Sequence, residues 1–237
     1  VGIDVNAFAG VAASPETRRR AQGVERSLNG RSMIIGVDRL DYTKGIAERL
    51  DAFARLLESF PEYRGQVVLL QVAPPSRSKV PGYRTTRRVL ETRTGHINGE
   101  YADVDWEPIR YLNRSYSQQA LAGMYRAARI GLVTPLRDGM NLVAKEYVAA
   151  QDGEDPGVLV LSRFAGAASQ LSAALIVNPH DIQGVAEALV RGLEMSLAER
   201  RERWRAMMDE LKTHDLDIWR NSFTSALRAV LVPRATA

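Results

Sequence analysis

The sequence predicts an α/β fold, a doubly wound, mostly parallel sheet of about six strands with helices on both faces. Short segments rich in Val, Ile and Leu are continuously apolar, as is typical of parallel strands that are covered on both faces. Helical patterns alternate with these segments along the chain. Residues 30–215 contain no repeat and no low-complexity linker, so nothing in this range interrupts the sheet.

The predicted strands cover residues 33–37, 67–72, 109–112, 130–134, 158–161 and 174–177. The predicted helices cover residues 46–60, 83–94, 118–127, 142–150, 165–171, 182–194, 197–212 and 216–230. The pattern of residues 10–31 predicts a polar lead-in helix, with Ser14 as its N-cap and Pro15 at the first helical position. Residues 1–8 have an extended-looking pattern, and because the chain starts at Val1 rather than Met, we expect it to be a piece of a longer protein.

The composition excludes several classes of function. The chain has 237 residues, is 45% hydrophobic and 25% charged, and has no cysteine, which excludes disulfides and thiolate metal sites and favours a cytoplasmic setting. Three scattered histidines argue against a histidine-based metal site. No apolar run approaches the ~18 residues that span a bilayer, so we expect no membrane partner. A net charge of +4 hints at small anionic ligands. The arginines of the chain alternate with Glu along the predicted helices, which argues against a nucleic-acid partner.

The loop after the first predicted strand, DRLDYTKG at residues 38–45, brings two cations to the start of a helix. In an open parallel sheet, ligands bind at the carboxyl ends of the strands. Arg39 and Lys44 could form an anion site there together with the free N–H groups and the dipole of the helix. The local residues favour equally the alternative to an anion site, in which Arg39 pairs with Asp38 or Asp41 and Lys44 is solvated.

The loop after the second predicted strand, APPSRSKVPGY at residues 73–83, is stiffened by three prolines. It presents Arg77 and Lys79, which could hold a phosphate. A merely solvated loop fits these residues at least as well.

The stretch LRDGMNLVAKEYVAAQ, at residues 136–151, follows the fourth predicted strand. Gly139 allows the backbone to approach a ligand, and a helix start near Asn141 leaves unpaired N–H groups around residues 140–143. Asp138 is suited to neutral sugar hydroxyls, and Glu146, nearly two turns past Gly139, to a ribose diol. The alternative is that Asp138 caps the helix and Glu146 complements its dipole.

Together these loops predict a site for a nucleotide-diphosphate sugar. The patterns GxGxxG and GxxxxGK[ST] are absent, which argues against a dinucleotide oxidoreductase and a P-loop NTPase. Asp103 and Asp105 have the Asp-x-Asp spacing of a metal-bound sugar nucleotide site, but they precede the third strand, at the wrong end of the sheet. We therefore expect no metal and no cofactor.

The sequence closely resembles bacterial alpha,alpha-trehalose-phosphate synthases (UDP-forming) in the stretches VDRLDYTKG, QVAPPSRSKVP, IRYLNRS, LVTPLRDGMNLVAKEYVAAQ, PGVLVLSRFAGAA and ALIVNPHD. That family consists of retaining glycosyltransferases of GT-B architecture, and the resemblance covers only its Rossmann-like, C-terminal, donor-binding half. It implies that residues 1–237 form a single nucleotide-sugar donor-binding domain. This domain comprises a lead-in at 1–31, the sheet with the donor site at 32–180 and C-terminal helices at 181–237. The N-terminal acceptor domain is absent from this chain.

The resemblance also implies roles for individual residues. Arg39 and Lys44 match the pair that grips the donor diphosphate, and Glu146 matches the carboxylate that binds ribose. Tyr116 falls where a backbone group meets the nucleobase, and Arg77 matches a contact to the phosphate of glucose 6-phosphate. The segment that holds the glucosyl unit and the phosphates matches Asp138, Gly139, Met140, Asn141 and Leu142, with Val143 continuing the helix start. Catalysis is assigned to Arg39, Lys44 and Asp138.

The implied reaction is glucosyl transfer from UDP-glucose to glucose 6-phosphate, giving trehalose 6-phosphate without a metal. Two alternatives stay open. One is a related enzyme that joins a nucleotide-activated cyclitol to a phosphorylated amine, and the other is a non-catalytic module that binds a sugar nucleotide. The expected partners are the two substrates and the missing N-terminal domain, and a homo-oligomer stays open. We expect the isolated chain to bind donor with little or no turnover.

Overall fold

The computed structural model describes residues 2–75 and 81–231. Within these residues, six strands form one sheet in the order β3-β2-β1-β4-β5-β6, and every neighbouring pair is parallel. The strands are β1 (Ser32–Val37), β2 (Val67–Val72), β3 (Ile109–Leu112), β4 (Ile130–Val133), β5 (Val158–Ser162) and β6 (Leu175–Val177). The predicted α/β fold and its doubly wound sheet are therefore confirmed.

Helices fill the connections between strands. They are α1 (Val5–Ala13), α2 (Pro15–Leu28), α3 (Ile46–Ser59), α4 (Pro81–Tyr101), α5 (Gln118–Ala127), α6 (Leu142–Ala150), α7 (Ile182–Glu194), α8 (Leu197–Thr213) and α9 (Leu216–Leu231). Helix α3 packs against α4 and α7, whereas α5 packs against α1, α2 and α6. In the part of the chain with described structure, no helix is both long and apolar enough to cross a bilayer.

The strand order reverses between β1 and β4, and this reversal positions the candidate site. The chain runs outward from β1 through β2 to β3, then returns to place β4 on the other side of β1. Right-handed crossovers put the connecting helices on opposite faces of the sheet when the direction of winding reverses. The carboxyl ends of β1 and β4 therefore lie side by side at the reversal, with the loop at residues 38–45 next to the loop at residues 134–141.

Four sequence predictions about local structure were wrong. Residues 5–13 form helix α1 rather than an extended stretch, because Asp4 caps its first turn through the Ala7 amide at 2.8 Å. The lead-in at 10–31 is divided at Ser14 into two helices, although Ser14 does cap α2 and Pro15 does begin it. Residues 165–171 contain only a 3₁₀ turn at Gly166–Ser169. Helix α4 also begins earlier and ends later than predicted.

Packing between β4 and α6 predicts a sharp difference between two glycine substitutions. A Cβ on Gly131 would lie 2.6–2.8 Å from ring atoms of Tyr147, which is 2% exposed, whereas one on Gly95 in α4 would meet nothing within 4 Å. We expect Gly131→Ala to lower the free energy of unfolding by about 1–3 kcal/mol because the site is already filled. We expect Gly95→Ala to raise it by about 0.5–1 kcal/mol because alanine favours the helix. Urea unfolding measures both, and equal midpoints for the two variants would contradict this packing.

Candidate functional site at the carboxyl edge of the sheet

The loops after β1 and β4 are bonded to each other. The amides of Leu136 and Arg137 both donate to the carbonyl of Thr43, at 2.9 and 3.2 Å. Gly45, with φ +63°, lies so close to the carbonyl of Thr134 that a Cβ would overlap it. A residue with a side chain would also be strained at this φ. Glycine therefore lets the two loops meet where α3 begins.

Lys44 and Asp138 form an ion pair across this junction. The Lys44 Nζ lies 2.6 Å from Oδ2 of Asp138, and each side chain is only 15% exposed. The Asp138 carboxylate also accepts from the side-chain amide of Asn141 at 3.1 Å and from the Met140 amide at 3.3 Å. The alternative of a solvated Lys44 is wrong. These contacts fix an ammonium and a carboxylate side by side, 94 residues apart in sequence.

Helix α6 begins at Leu142, and its N-cap is Asn141 rather than Asp138. Asn141 has φ +72°, and its Oδ1 accepts from the Ala144 amide at 3.0 Å. The predicted helix start is confirmed, and the alternative of an Asp138 cap is wrong. Among residues with described positions, the amides of Leu142 and Val143 have no acceptor. Two N–H groups at the positive end of the helix dipole thus lie next to the Lys44–Asp138 pair.

The loop after β5 is hydrogen-bonded to the turn at residues 138–140, which contains Gly139. The Gly166 amide donates to the carbonyl of Asp138 at 2.8 Å, and the Ala167 amide donates to that of Met140 at 2.7 Å. A Cβ on Gly166 would overlap the Gly139 carbonyl. Sequence reasoning missed this loop, although the stretch RFAGAA carries the signal, a glycine four residues after the end of a buried strand.

Arg39 lies in the same loop as Lys44, with an exposed side chain. Asp38 instead pairs with the buried Arg49, whose Nη2 lies 2.8 Å from Oδ2 of Asp38. Asp41 accepts from the Thr43 amide at 3.0 Å. Across the described ranges, the Arg39 guanidinium forms no hydrogen bond or ion pair, so the alternative in which Arg39 pairs with Asp38 or Asp41 is wrong. Its charge is available to a ligand.

Glu146 is half-buried on α6, about one turn from the helix start at Leu142. Burial raises the pKa of its carboxyl, and the neighbouring Tyr125 hydroxyl partly opposes that rise. That hydroxyl is itself buried, without an aligned hydrogen-bond partner in the described part of the chain. Burial raises the pKa of Tyr125 well above its usual range. A carboxylate that is costly to ionise in the free protein can be stabilised by hydroxyl donors from a ligand.

Tyr116 follows β3, which lies two strands from β1 in the sheet order. Its ring lies under the Arg114 guanidinium at 4.7 Å, and its hydroxyl accepts from Arg114 Nε at 2.7 Å. The structure does not bring Tyr116 into contact with the Lys44–Asp138 pair. The nucleobase contact at Tyr116 stays a prediction. The predicted acceptor residue Arg77 lies outside the described residues.

The amino edge of the sheet has different features. Asp105 pairs with Arg31 at 2.6 Å, just before β1, so the Asp-x-Asp motif lies away from the carboxyl edge. A cavity of about 420 Å³ at this amino edge is lined by Arg126, Arg129 and Arg200 together with Asp152 and Asp155. Most of its cations are already paired, Arg126 with Asp152 and Arg200 with Asp155. The carboxyl edge, with its exposed Arg39 and free amides, is the better candidate for an anionic ligand.

The raised pKa of Glu146 predicts a pH effect on stability. Because this pKa is higher in the folded state than in the unfolded state, the free energy of unfolding falls as pH rises through that interval. Glu146→Gln removes this loss. We expect the variant to gain stability relative to the unmodified chain between about pH 4 and about pH 7.

Urea unfolding at both pH values measures this gain, with Glu202→Gln, a change at an exposed position, as the control. A stability difference for Glu146→Gln that does not change with pH would contradict the burial of this carboxyl.

The chain matches a known protein family over most of its length. Residues 1–229 match the model of Glycosyltransferase family 20. The trehalose-6-phosphate synthase of Sinorhizobium fredii is 53% identical over 229 residues, which cover 97% of this chain and 49% of that protein. The chain therefore spans about half the length of the curated relatives it matches.

Solved structures agree with the sequence match. The alpha,alpha-trehalose-phosphate synthase (UDP-forming) from Burkholderia xenovorans, in complex with glucose-6-phosphate, superposes with a TM-score of 0.94 at 50% identity, over 96% of this chain and 50% of that one. An Escherichia coli structure bound with UDP-2-fluoro glucose gives a TM-score of 0.95 at 47% identity, over 99% of this chain and 52% of that one. The chain belongs to glycosyltransferase family 20.

Proposed function

We propose that this chain is the donor-binding half of a retaining, metal-independent glucosyltransferase that transfers glucose from UDP-glucose to glucose 6-phosphate, forming trehalose 6-phosphate. The observation that carries the proposal is the ion pair of Lys44 and Asp138 beside the free amides of α6. The relatives named above support the substrates, since one is described with glucose-6-phosphate and another with UDP-2-fluoro glucose. The rest of the enzyme supplies the acceptor wall.

The diphosphate would lie between Lys44, Arg39 and the start of α6. An ammonium has three donors, so Lys44 can keep its contact with Asp138 at 2.6 Å and still donate to a phosphate oxygen. The amides of Leu142 and Val143 and the helix dipole add positive potential at the same place. Asp138 repels the phosphates, so it faces the glucosyl hydroxyls. Glu146 accepts from the ribose diol, and the Tyr116 segment meets the base.

Charge builds on the leaving UDP as the glycosidic bond breaks. Arg39, Lys44 and the α6 amides stabilise that charge because they are held in place before the reaction. No side chain acts as a nucleophile in this proposal. The acceptor hydroxyl attacks the sugar on the face that the diphosphate leaves, and the departing phosphate takes its proton, so the anomeric configuration is retained. Arg77 contacts the acceptor phosphate. A cytoplasmic location remains a prediction.

Nucleotide binding by the chain itself tests the donor site. We expect UDP and UDP-glucose to raise the melting temperature more than ADP or GDP at equal concentration. Ligand at 100 times its Kd stabilises the folded state by about 2.7 kcal/mol. Equal shifts in melting temperature for all nucleotides would contradict the predicted preference for uracil. No shift with any nucleotide would contradict the donor site. A larger shift with a nucleotide-activated cyclitol than with UDP-glucose would favour the pseudo-glycosidic alternative.

Removing each cation tests the diphosphate contacts. We expect Arg39→Ala and Lys44→Ala each to weaken UDP binding by about ten- to a hundredfold, because a hydrogen bond to a charged group contributes about 1.5–3 kcal/mol. Lys44→Ala should lose more UDP affinity than Arg39→Ala, because it leaves the Asp138 carboxylate unpaired beside the phosphates. Adding Asp138→Asn to Lys44→Ala should recover part of that affinity.

Titration calorimetry measures these affinities. Arg55→Ala on α3, which removes an exposed arginine paired with Glu58 at 2.9 Å, is the matched control and should leave the Kd for UDP unchanged. UDP affinity within about threefold of the unmodified chain for both Arg39→Ala and Lys44→Ala would contradict the diphosphate site.

A further inference from the structure

Arg49, on the first turn of α3, is a buried arginine directly beneath the candidate site, with a side chain that is 0% exposed. Its Nε donates to Thr134 Oγ1 at 3.2 Å and its Nη1 donates to Gln71 Oε1 at 3.0 Å. Its Nη2 lies 2.8 Å from Asp38 Oδ2, although the two are not aligned for a hydrogen bond. One guanidinium therefore links residues of three adjacent segments, at the ends of β1, β2 and β4.

The strand beside Arg49 makes room for the guanidinium. A Cβ on Gly36 of β1 would lie 2.5 Å from both Arg49 Nη1 and Gln71 Oε1. Glycine is therefore required at this point of the strand by a close approach rather than by its backbone conformation. The sheet has a space at the junction of β1 and β2, and the Arg49 guanidinium fills it.

Short contacts connect Arg49 to the ion pair above it. The Arg49 amide donates to the Gly45 carbonyl at 2.9 Å, and Gly45 directly follows Lys44. Thr134, which accepts from Arg49, lies two residues before Leu136, whose amide is bonded to Thr43 at 2.9 Å. The Lys44 loop is thus held by the Arg49 backbone amide at Gly45 and by the Arg49 guanidinium at Asp38. The Asp138 loop is held by the same guanidinium at Thr134.

We propose that Arg49 is a positioning residue, which sets the distance between the Lys44 loop and the Asp138 loop and so holds the diphosphate site open to its ligand. Stability alone does not account for a buried charge, because replacing a buried ion pair by apolar residues is often neutral or stabilising. Burial raises the pKa of Asp38, Arg49 opposes that rise, and Lys44 and Asp138 act on the same carboxyl. The ligand in this proposal is the nucleoside diphosphate of the proposed function, on which it rests.

The test compares Arg49→Met with Arg200→Met in the chain as given. Arg200 is also buried, at 6% exposure, but it pairs with Asp155 and the Pro156 carbonyl at the amino edge of the sheet. Native-state amide exchange is followed at Leu136 and Arg137, and the Kd for UDP is measured by calorimetry well below each melting temperature. A double variant, Asp38→Leu with Arg49→Met, separates stability from positioning because no buried charge is left unpaired.

We expect Arg49→Met to speed exchange at Leu136 and Arg137 and to weaken UDP binding, each by about tenfold or more, while Arg200→Met changes neither beyond its global loss of stability. The double variant should regain the stability that Arg49→Met loses. Its amide exchange at Leu136 and Arg137 should stay fast, and its UDP binding should stay weak. If Arg49→Met does not fold, Arg49→Lys and Arg200→Lys replace the pair, because lysine keeps the charge but lacks the planar fork of donors with which the guanidinium reaches three segments.

The outcomes separate this inference from the proposed function. Unchanged exchange and unchanged UDP affinity in Arg49→Met would overturn the positioning role and leave the donor site intact. Equal effects of Arg49→Met and Arg200→Met would also overturn it, since both would then act through global stability. If the unmodified chain does not bind UDP, the proposed function fails, and the exchange rates of Leu136 and Arg137 still decide the positioning role.

Discussion

The ion pair between Lys44 and Asp138 joins the two loops that meet where the winding of the sheet reverses, and the candidate site depends on it. It holds at 2.6 Å with both side chains largely shielded, so water screens it less than an exposed pair. The same carboxylate accepts from Asn141, which caps α6, so the charge pair also orients the start of the helix. Loss of this contact would release the Lys44 ammonium from the carboxylate that orients the start of α6.

Without a ligand this edge carries an exposed cation with no counterion among the described residues and a carboxylate that is costly to ionise, which is consistent with a binding surface. Arg39 is an exposed cation without a counterion among the residues described, and Glu146 is a half-buried carboxylate whose pKa is raised. A diphosphate would neutralise the first, and sugar hydroxyls would stabilise the second. Buried charge beneath the loops, on Asp38 and Arg49, fixes the geometry on which both depend.

Much of the fold could be predicted from the sequence, because buried parallel strands are short, continuously apolar segments that stand out from the helical patterns between them. The start of α6 at Asn141 was predictable from the glycine turn before it, and the family stretches located Lys44 and Asp138 in neighbouring loops. Their direct contact was not predictable, since it depends on side-chain directions across 94 residues of sequence. Arg49 was missed for a related reason. An arginine in an amphipathic helix indicates a solvated face, and only the gap at Gly36 shows that it points inward.

The most direct measurement is a crystal structure of this chain with UDP. The account predicts a phosphate oxygen within about 3 Å of the Lys44 Nζ and of the Leu142 or Val143 amide, with the ribose beside Glu146. Nucleotide bound instead in the cavity at the amino edge, against Arg126 and Arg129, would contradict it.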